Sequence, residues 1–395
     1  MSGTPKKSLW KRMKRKVADA IGLTARRRLV NWIADCKALF PYAVTSVLDA
    51  NRQDVAFTPE LRGKGLFKVK WDLVKIALPG LDLSEAAGKD PDFCFIWGFK
   101  PNGFQCRVLA TAIRTGATLV LCEDGFLRSA DTYVNKSAPM KYRLGCSVIF
   151  DTKGFYFDAT RPNNIEGILN DKSLVVTPEQ LTEARRLIDR IVSEKLTKYN
   201  HQPIFAPEIG RPGRRKVLVV DQSYGDMAIE KGWGSDQLFA DILEDAKREN
   251  PDADILVKTH PDTMTGAKGG YYVDVKEEGN VFRVTMPVNP YSLMEIVDKV
   301  YVCSTQMGFE ALMAGKEVHV YGMPFYAGWG LTIDKQTNPR RTNKRTLEEV
   351  FYIFYILYTH WVDIETGKSC TIDKAMDNLI ALREEYRKVR ADKFC

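Results

Sequence analysis

Residues 300–332 read VYVCSTQMGFEALMAGKEVHVYGMPFYAGWGLT, and this stretch decides the fold. Apolar runs at 300–302 and 318–321 predict two buried strands with a helix between them. The turn before the helix holds three polar residues, Ser304, Thr305 and Gln306. Because the first N–H groups of a helix have no intrahelical acceptor, such a turn favours a phosphate or a carboxylate. With the glycine- and aromatic-rich loop that follows, the stretch predicts half of a nucleotide-sugar site.

The composition is that of an ordinary folded protein that is large enough for two domains. The chain has 395 residues, of which 45% are hydrophobic and 27% are charged, and folded domains typically hold about 100–200 residues. Its eight cysteines show neither a CxxC pair nor metal-ligand spacing. We therefore expect reduced core thiols in a cytoplasmic protein. No apolar run approaches the ~20 residues that span a bilayer.

Positive charge is concentrated at the N-terminus. The first 28 residues contain ten Lys and Arg against one acid, whereas the whole chain has a net charge of +8. The remainder is nearly neutral, so we expect no nucleic-acid partner for it. Within residues 1–40, apolar residues recur at helical spacing opposite a basic face, which is typical of helices on anionic membranes. We expect a peripheral contact with the inner membrane; an RNA-binding tail and a partly disordered leader are the alternatives.

The strand–helix alternation runs through two separate stretches. Residues 41–200 form the first predicted domain and residues 216–345 the second, joined by a linker at 201–215 that is rich in Pro, Gly and Arg. Residues 346–395 predict helices that pack back on the domain pair. The pattern predicts an α/β protein with two doubly wound Rossmann-like domains facing a cleft, and ligands at the carboxyl ends of the strands.

Individual elements follow from local apolar runs. Outside the opening stretch, such runs predict strands at residues 93–99, 118–125, 146–151, 154–158, 216–222, 254–262 and 281–286. The runs at 146–151 and 154–158 predict a hairpin. The aromatic run at 347–361 predicts a helix, and a charged helix is predicted to follow it.

Polar motifs follow the predicted strands. They are GFKPNG at 98–103, EDGFLRS at 123–129, FDATRP at 157–162, DQSYGD at 221–226 and THPD at 259–262. A single acid after a strand is more often a helix cap or an ion-pair partner than a catalyst. The recurrence of such motifs at corresponding positions of the two domains predicts instead that they converge on one site.

Four acids are candidates for catalysis. Glu123 and Asp124 are adjacent, so their side chains point in different directions if the strand persists. Asp221 and Asp226 bracket a short loop in which Gly225 permits a sharp turn. Paired carboxylates suit glycosyl transfer, in which one handles the acceptor proton and another stabilises or attacks the sugar cation.

One histidine stands at a strand end. His260 precedes Pro261, which keeps its backbone extended. With Lys258 nearby, its ring can contact a leaving phosphate, although a structural role is the other reading.

These motifs together resemble a module of the bacterial capsule polysaccharide proteins of the KpsC type, which are β-Kdo glycosyltransferases. The resemblance rests on FIWGFKPNG, LCEDGFLRS, FDATRP, VLVVDQSYGD, VKTHPD and the stretch from STQMGFEALMAGK to YGMPFYAGWGLT, in this order. It covers residues from about 90 to 375. The best-known members carry two such modules, whereas these motifs occur once here, which predicts one linkage.

The resemblance implies a GT-B-like fold and a retaining β-Kdo transferase with CMP-Kdo as donor. The donor phosphate would be held by Ser304, Thr305 and Gln306, assisted by His260 and Lys258. No metal or other cofactor is expected, because the site offers cationic and N–H groups and shows no DxD pair.

Further roles come with the same resemblance. Glu310 would hold the ribose hydroxyls, and Arg128 and Arg161 are candidates for the Kdo carboxylate. The nucleophile would be Asp221, which is better fixed, or Asp226, which is closer to the cleft. Glu123 or Asp124 would be the acceptor-side acid/base.

The implied setting is the cytoplasmic face of the inner membrane. There the protein would transfer Kdo to a saccharide or glycolipid acceptor, possible partners being capsule assembly or export proteins. Two alternatives remain open. One is transfer of another CMP-activated keto-sugar of the sialic acid type, and the other is a non-catalytic glycan- or nucleotide-binding component of an export complex.

Overall fold

The computed structural model describes residues 40, 43–51, 62–66, 73–84, 89–98, 102–260, 263 and 269–391. These form two compact units. The first contains the described residues up to Asp124 together with Val148–Phe155. The second contains Gly125–Ser147 and the described residues from Tyr156 onward. Residues 125–147 and 156–200, which we assigned to the first domain, thus cluster with the second half of the chain, while the predicted boundaries as a whole stay a prediction.

The first unit is built on a mainly parallel sheet. Its strands are β1 (Gly63–Leu66), β2 (Leu81–Asp82), β3 (Phe93–Trp97), β4 (Thr118–Asp124) and β5 (Ser147–Asp151), in the spatial order β5-β4-β3-β1-β2. Only β5 runs antiparallel to its neighbour. The described helices of this unit include α1 (Leu73–Ala77) and α2 (Gly103–Thr115). Asn102 caps α2 at its start, and Gly116 ends it with a φ of 76°.

The second unit contains a six-stranded, all-parallel sheet. Its strands are β6 (Arg215–Val220), β7 (Ala253–Lys258), β8 (Val281–Val284), β9 (Lys299–Val302), β10 (Glu317–Val320) and β11 (Ile333–Asp334). Their spatial order is β11-β10-β9-β6-β7-β8, which is the Rossmann order. The strands β6 and β7 are almost entirely buried, as expected for apolar runs covered on both faces. The predicted α/β class is therefore confirmed.

The described part of the second unit also contains helices of very different length. They are α3 (Asn164–Asn170), α4 (Pro178–Ser193), α5 (Met227–Lys231), α6 (Asp236–Glu249), α7 (Pro290–Met294), α8 (Met307–Met313), α9 (Leu347–Phe351) and α10 (Ile372–Ala391). Capping boxes begin α4 and α9, where a threonine and a Gln or Glu three residues later satisfy each other's backbone N–H groups.

The helix α10 packs back on residues from the first half of the chain. The Tyr386 hydroxyl donates to Asp131, and Arg383 donates to the carbonyl of Glu194 at 2.6 Å. At its other end, Asp373 accepts from Arg186 and Arg190, both on α4. The second unit thus needs the last described helix to be complete.

Two predicted elements are wrong. Residues 154–158 form no strand, because Asp151 Oδ1 accepts the N–H groups of Lys153 and Gly154 at 2.7 and 2.9 Å and turns the chain. Beyond the turn, Tyr156 packs against other aromatic rings instead of a neighbouring strand. The aromatic helix also ends early: α9 continues as a π-helix over Tyr352–Leu357, and Thr359–Asp363 is a strand.

Candidate functional site

The strand order of the Rossmann sheet reverses between β6 and β9. The two strands are neighbours, and each has its other neighbour on the opposite side. Ligands of open α/β sheets bind at this switch point, beyond the carboxyl ends of the strands. Asp221 and Gln222 follow β6 there, and Ser304 follows β9. The Gln222 side chain joins the two ends, since its Oε1 accepts the Ser304 N–H at 2.9 Å.

Asp221 is buried at the end of β6, with 1% of its surface exposed. Its Oδ1 accepts the backbone N–H groups of Gln222 and Tyr271, both at 2.9 Å. Its Oδ2 is buried and has no hydrogen-bond partner in the described part of the chain. Burial raises the pKa of Asp221, and the surrounding N–H groups oppose this. A side chain at Gly270 would collide with Oδ2, so the glycine lets residues 269–271 close over the carboxylate.

Asp226 lies at the other end of the same loop and is exposed. It is the N-cap of α5, because its Oδ1 accepts the Ala228 N–H at 3.0 Å. Gly225, with a φ of 72°, makes the turn that brings the chain into this helix. Of the two aspartates on the loop, Asp226 is therefore the one that is open to solvent.

In the predicted phosphate-binding turn, Ser304 and Thr305 differ in the hydrogen bonds that they make. The Ser304 hydroxyl lies 2.8 Å from the carbonyl of Ala228, and its N–H is held by Gln222. Thr305 is half-buried, and its Oγ1 accepts a long contact of 3.4 Å from the Met307 N–H. Among the described residues the Thr305 hydroxyl has no acceptor for its hydrogen, whereas the Ser304 hydroxyl donates to Ala228.

The two basic residues predicted beside this turn also differ in their exposure. Lys258 is buried, and its Nζ donates to the Thr259 carbonyl at 2.9 Å. Burial lowers the pKa of Lys258 to about 8, opposed by the charge of Asp221. His260 is partly exposed, with its Nδ1 3.0 Å from the hydroxyl of Ser223. Pro261 lies outside the described residues.

Gln306 and Glu310 face the protein interior. Gln306 Nε2 donates to the carbonyl of Phe126 at 3.0 Å and to Glu310 at 3.1 Å. Glu310 is 4% exposed. Its burial raises its pKa to about 7, against the lowering effects of Gln306 and Lys198. The ribose role of Glu310 stays a prediction; in the structure Gln306 lies between Glu310 and Phe126 of the EDGFLRS motif.

A pH-dependence of stability follows from the buried Glu310. Its pKa rises from 4.5 to about 7 on folding, so the folded protein retains a proton that the unfolded chain has released. This group therefore contributes stability that is present below pH ~4.5 and is lost as the pH rises through ~7. Urea denaturation of the Glu310→Gln variant between pH 5 and 8 should show a flatter pH-dependence than the wild type. An unchanged slope would contradict the assignment.

The other predicted site residues differ in burial. Arg128 is buried, with its Nη1 donating to the Ser129 hydroxyl and the Arg143 carbonyl. Arg161 is half-buried. Glu123 and Asp124 are partly exposed at the end of β4 in the first unit.

A buried ion-pair network holds the PFYAGWG loop, which follows β10. Glu166 on α3 accepts from Arg340 Nε at 2.6 Å and from Arg341 Nε at 3.2 Å. Arg341 in turn donates to the carbonyls of Pro324 and Ala327, in the PFYAGWG loop. Arg340 donates to the carbonyl of Ala159 at 2.6 Å, in the FDATRP motif. Two motifs that are about 160 residues apart are thereby fixed to one carboxylate.

Residues 96–210 and 206–363 match the family described as capsule polysaccharide biosynthesis protein. The chain belongs to this family. Within the capsule polysaccharide biosynthesis family, the chain is 34% identical over 317 residues to the capsule polysaccharide modification protein LipA of Neisseria meningitidis serogroup A. It is 35% identical over 273 residues to the lipopolysaccharide-processing protein LpsZ of Rhizobium meliloti. These alignments cover 78% and 68% of this chain, but only 44% of LipA and 60% of LpsZ.

A solved structure of the family is similar over nearly its whole length. It is the KpsC β-Kdo 2,4 transferase of Thermosulfurimonas dismutans, with a TM-score of 0.71 and 34% identity, covering 80% of this chain and 97% of that one. The KpsC β-Kdo 2,7 transferase of the same organism, at a TM-score of 0.55 and 24% identity, shares the fold. The predicted resemblance to KpsC and the predicted GT-B-like fold class are confirmed.

Two features are absent from the part of the chain that the structure describes. No described helix is both long and apolar enough to cross a bilayer. No group of three or more His, Cys, Asp or Glu side chains in that part of the chain is arranged to hold a metal ion.

Proposed function

We propose that this protein is a retaining β-Kdo glycosyltransferase that transfers Kdo from CMP-Kdo to a saccharide acceptor. The observation that carries the proposal is the match to nearly all of a KpsC β-Kdo 2,4 transferase at 34% identity. The exposed Asp226 beside the switch point of the second sheet supports it. The acceptor is proposed to be lipid-linked.

The proposed mechanism uses two displacements. A carboxylate oxygen of Asp226 attacks the anomeric carbon of Kdo, the bond to the phosphate breaks, and CMP leaves with the electron pair. The acceptor hydroxyl then attacks the same carbon, breaks the bond to Asp226, and gives its proton to a base. Two inversions give net retention. We choose Asp226 over Asp221 because a nucleophile must reach the sugar, and Asp221 is buried on every side.

Donor contacts are proposed for partly exposed groups of the second unit. Thr305 and His260 are the proposed phosphate contacts, since both are partly exposed and Thr305 has a hydroxyl hydrogen to donate. Arg161 is the preferred candidate for the Kdo carboxylate, because it is half-buried whereas Arg128 is buried. The acceptor-side base is proposed to be Glu123 or Asp124.

The test is a transfer assay. Purified protein is incubated with CMP-Kdo, generated in place, and a short Kdo-bearing acceptor, with and without a chelator. Product mass and NMR are expected to show a β-linked Kdo, with no effect of the chelator. An α-linked product would overturn retention. Transfer from CMP-sialic acid alone would favour the other keto-sugar, and CMP binding without any transfer would favour a binding component.

Membrane association is proposed for residues 1–40, of which all but residue 40 lie outside the described part of the chain. Deletion of residues 1–35 is expected to lower recovery on anionic vesicles in a salt-sensitive way, because each lost Lys or Arg removes ~1 kcal/mol of attraction. Turnover of a soluble acceptor should remain. Equal loss of both, measured by vesicle sedimentation and product formation, would show that the segment belongs to the folded core.

A further inference from the structure

The helix that carries Asp226 is very short. The helix α5 spans only Met227–Lys231. A single helical turn is not stable alone, because nucleation costs more than one turn of hydrogen bonds returns. The position of Asp226 therefore depends on what holds α5 from outside.

Three backbone carbonyls accept hydrogen bonds from other segments: those of Ala228 and Lys231 in α5, and that of Gly232 directly after it. The Ser304 hydroxyl lies 2.8 Å from the Ala228 carbonyl. The Ala159 N–H donates to the Lys231 carbonyl at 2.9 Å, and the Met323 N–H donates to the Gly232 carbonyl at 2.7 Å. Of these, only the bond to Ala228 uses a side chain, so it is the one that a substitution can remove cleanly.

The backbone packs closely at this place. A Cβ at Gly232 would overlap the Ala228 carbonyl and lie 3.2 Å from the Ser304 Cβ. A Cβ at Gly322 would lie 2.7 Å from the Gly232 carbonyl. The end of α5 is thus seated directly against the chain that follows β9 and β10, with no side chain between them.

Ser304 has no hydrogen-bond donor left for a ligand. Its N–H donates to Gln222 Oε1 at 2.9 Å, and its hydroxyl is nearer to the Ala228 carbonyl, at 2.8 Å, than to Gln222 Oε1, at 3.4 Å. The hydroxyl oxygen also accepts from Gln222 Nε2 at 3.3 Å. Ser304 and Gln222 are 9% and 3% exposed. Because a serine hydroxyl has one hydrogen to donate, binding a phosphate would break the bond to α5.

We propose that Ser304 and Gln222 are positioning residues that clamp α5, and through it Asp226, and that Ser304 does not bind the donor. The role proposed for Asp226 in catalysis is assumed here. The clamp joins the loop after β6 to the residues that follow β9, on the two sides of the switch point. This differs from the phosphate contact that the resemblance implied for Ser304.

The test compares two adjacent hydroxyls. Ser304→Ala is expected to lower kcat ~10–100-fold, because a shift of about 1 Å in a reacting group costs up to ~100-fold, while the Kd for CMP changes less than about twofold. Thr305→Ala, the matched control, should raise that Kd by ~10-fold, the effect of ~1.4 kcal/mol. Ser304→Thr keeps the hydroxyl and should restore kcat. If Ser304→Ala weakens CMP binding as much as Thr305→Ala, the proposal is wrong.

A second measurement separates this proposal from the proposed function. Hydrogen exchange of the amides in residues 228–232 reports on the clamp whether or not the protein transfers a sugar. Ser304→Ala and Gln222→Leu should both accelerate it, with Thr305→Ala like the wild type. Faster exchange in a protein that shows no transferase activity would support the clamp and contradict the proposed function. Unchanged exchange in both variants would overturn the clamp, even in an active enzyme.

Discussion

Replacement of Asp226 by Asn is expected to reduce Kdo transfer by at least ~1000-fold, because an amide cannot attack the anomeric carbon. Donor binding should survive, since the fold around α5 is unchanged: the Asn side-chain oxygen can still accept the Ala228 N–H that Asp226 Oδ1 accepts at 3.0 Å. Turnover of CMP-Kdo and a CMP titration measure the two quantities. Mass spectrometry of the wild type without acceptor should detect a Kdo adduct that this variant lacks.

Asp221→Asn is the matched control on the same loop. Its side-chain oxygen can still accept the N–H groups of Gln222 and Tyr271, which now bond to Asp221 Oδ1. We expect a loss of ~10-fold or less, since the loop keeps its hydrogen bonds and only a buried charge is removed. An inactive Asp221→Asn beside an active Asp226→Asn would reverse the assignment of the nucleophile.

Replacement of Glu166 by Gln should lower the free energy of unfolding by about 3–5 kcal/mol, the usual cost of leaving a buried charge without its partner. The affected charge is Arg341, whose pKa burial lowers and Glu166 raises. In the variant, the Glu166 carboxylate that pairs with Arg341 would be replaced by an amide, in a site that excludes water. Chemical denaturation followed by circular dichroism measures the change, and the PFYAGWG loop should become sensitive to proteolysis.

An exposed ion pair is the control for this substitution. Glu183 and Arg186 lie on α4, with side chains 44% and 47% exposed. Glu183→Gln should cost less than about 1 kcal/mol, because water reaches the pair and Arg186 keeps its contact with Asp373. Similar losses in both variants would mean that Glu166 is not needed to compensate Arg341.

The strands could be predicted because burial on both faces leaves a mark in the sequence. The predicted strands at 216–222 and 281–286 begin within one residue of Arg215–Val220 and Val281–Val284, since continuous apolar runs suit parallel strands. The false strand at 154–158 is also a short apolar run. The turn at Asp151 and the ring contacts of Tyr156 prevent a strand here, and neither can be recognised from the local apolar pattern.

The site could be predicted as a place but not as a set of roles. The DQSYGD loop and the turn after β9 do meet, since Gln222 accepts the Ser304 N–H and strand ends meet at a switch point. The burial of Asp221 depends on Gly270, which closes over it from a separate segment. The same applies to Ser304, whose hydroxyl is used by a carbonyl 76 residues earlier in the chain. Gln222 was missed because nothing in DQSYGD distinguishes a bridging amide from a surface one.

The packing of α10 also bears on the order in which the protein acquires its structure during synthesis. Asp131 and the α4 arginines leave the ribosome long before Tyr386, Arg383 and Asp373, their partners on the last described helix. Since nascent domains fold as units as they emerge, the second unit must wait with this surface uncovered until α10 has been synthesised. We therefore expect a product terminated before α10 to be a substrate for chaperones and proteases, and not a shortened enzyme.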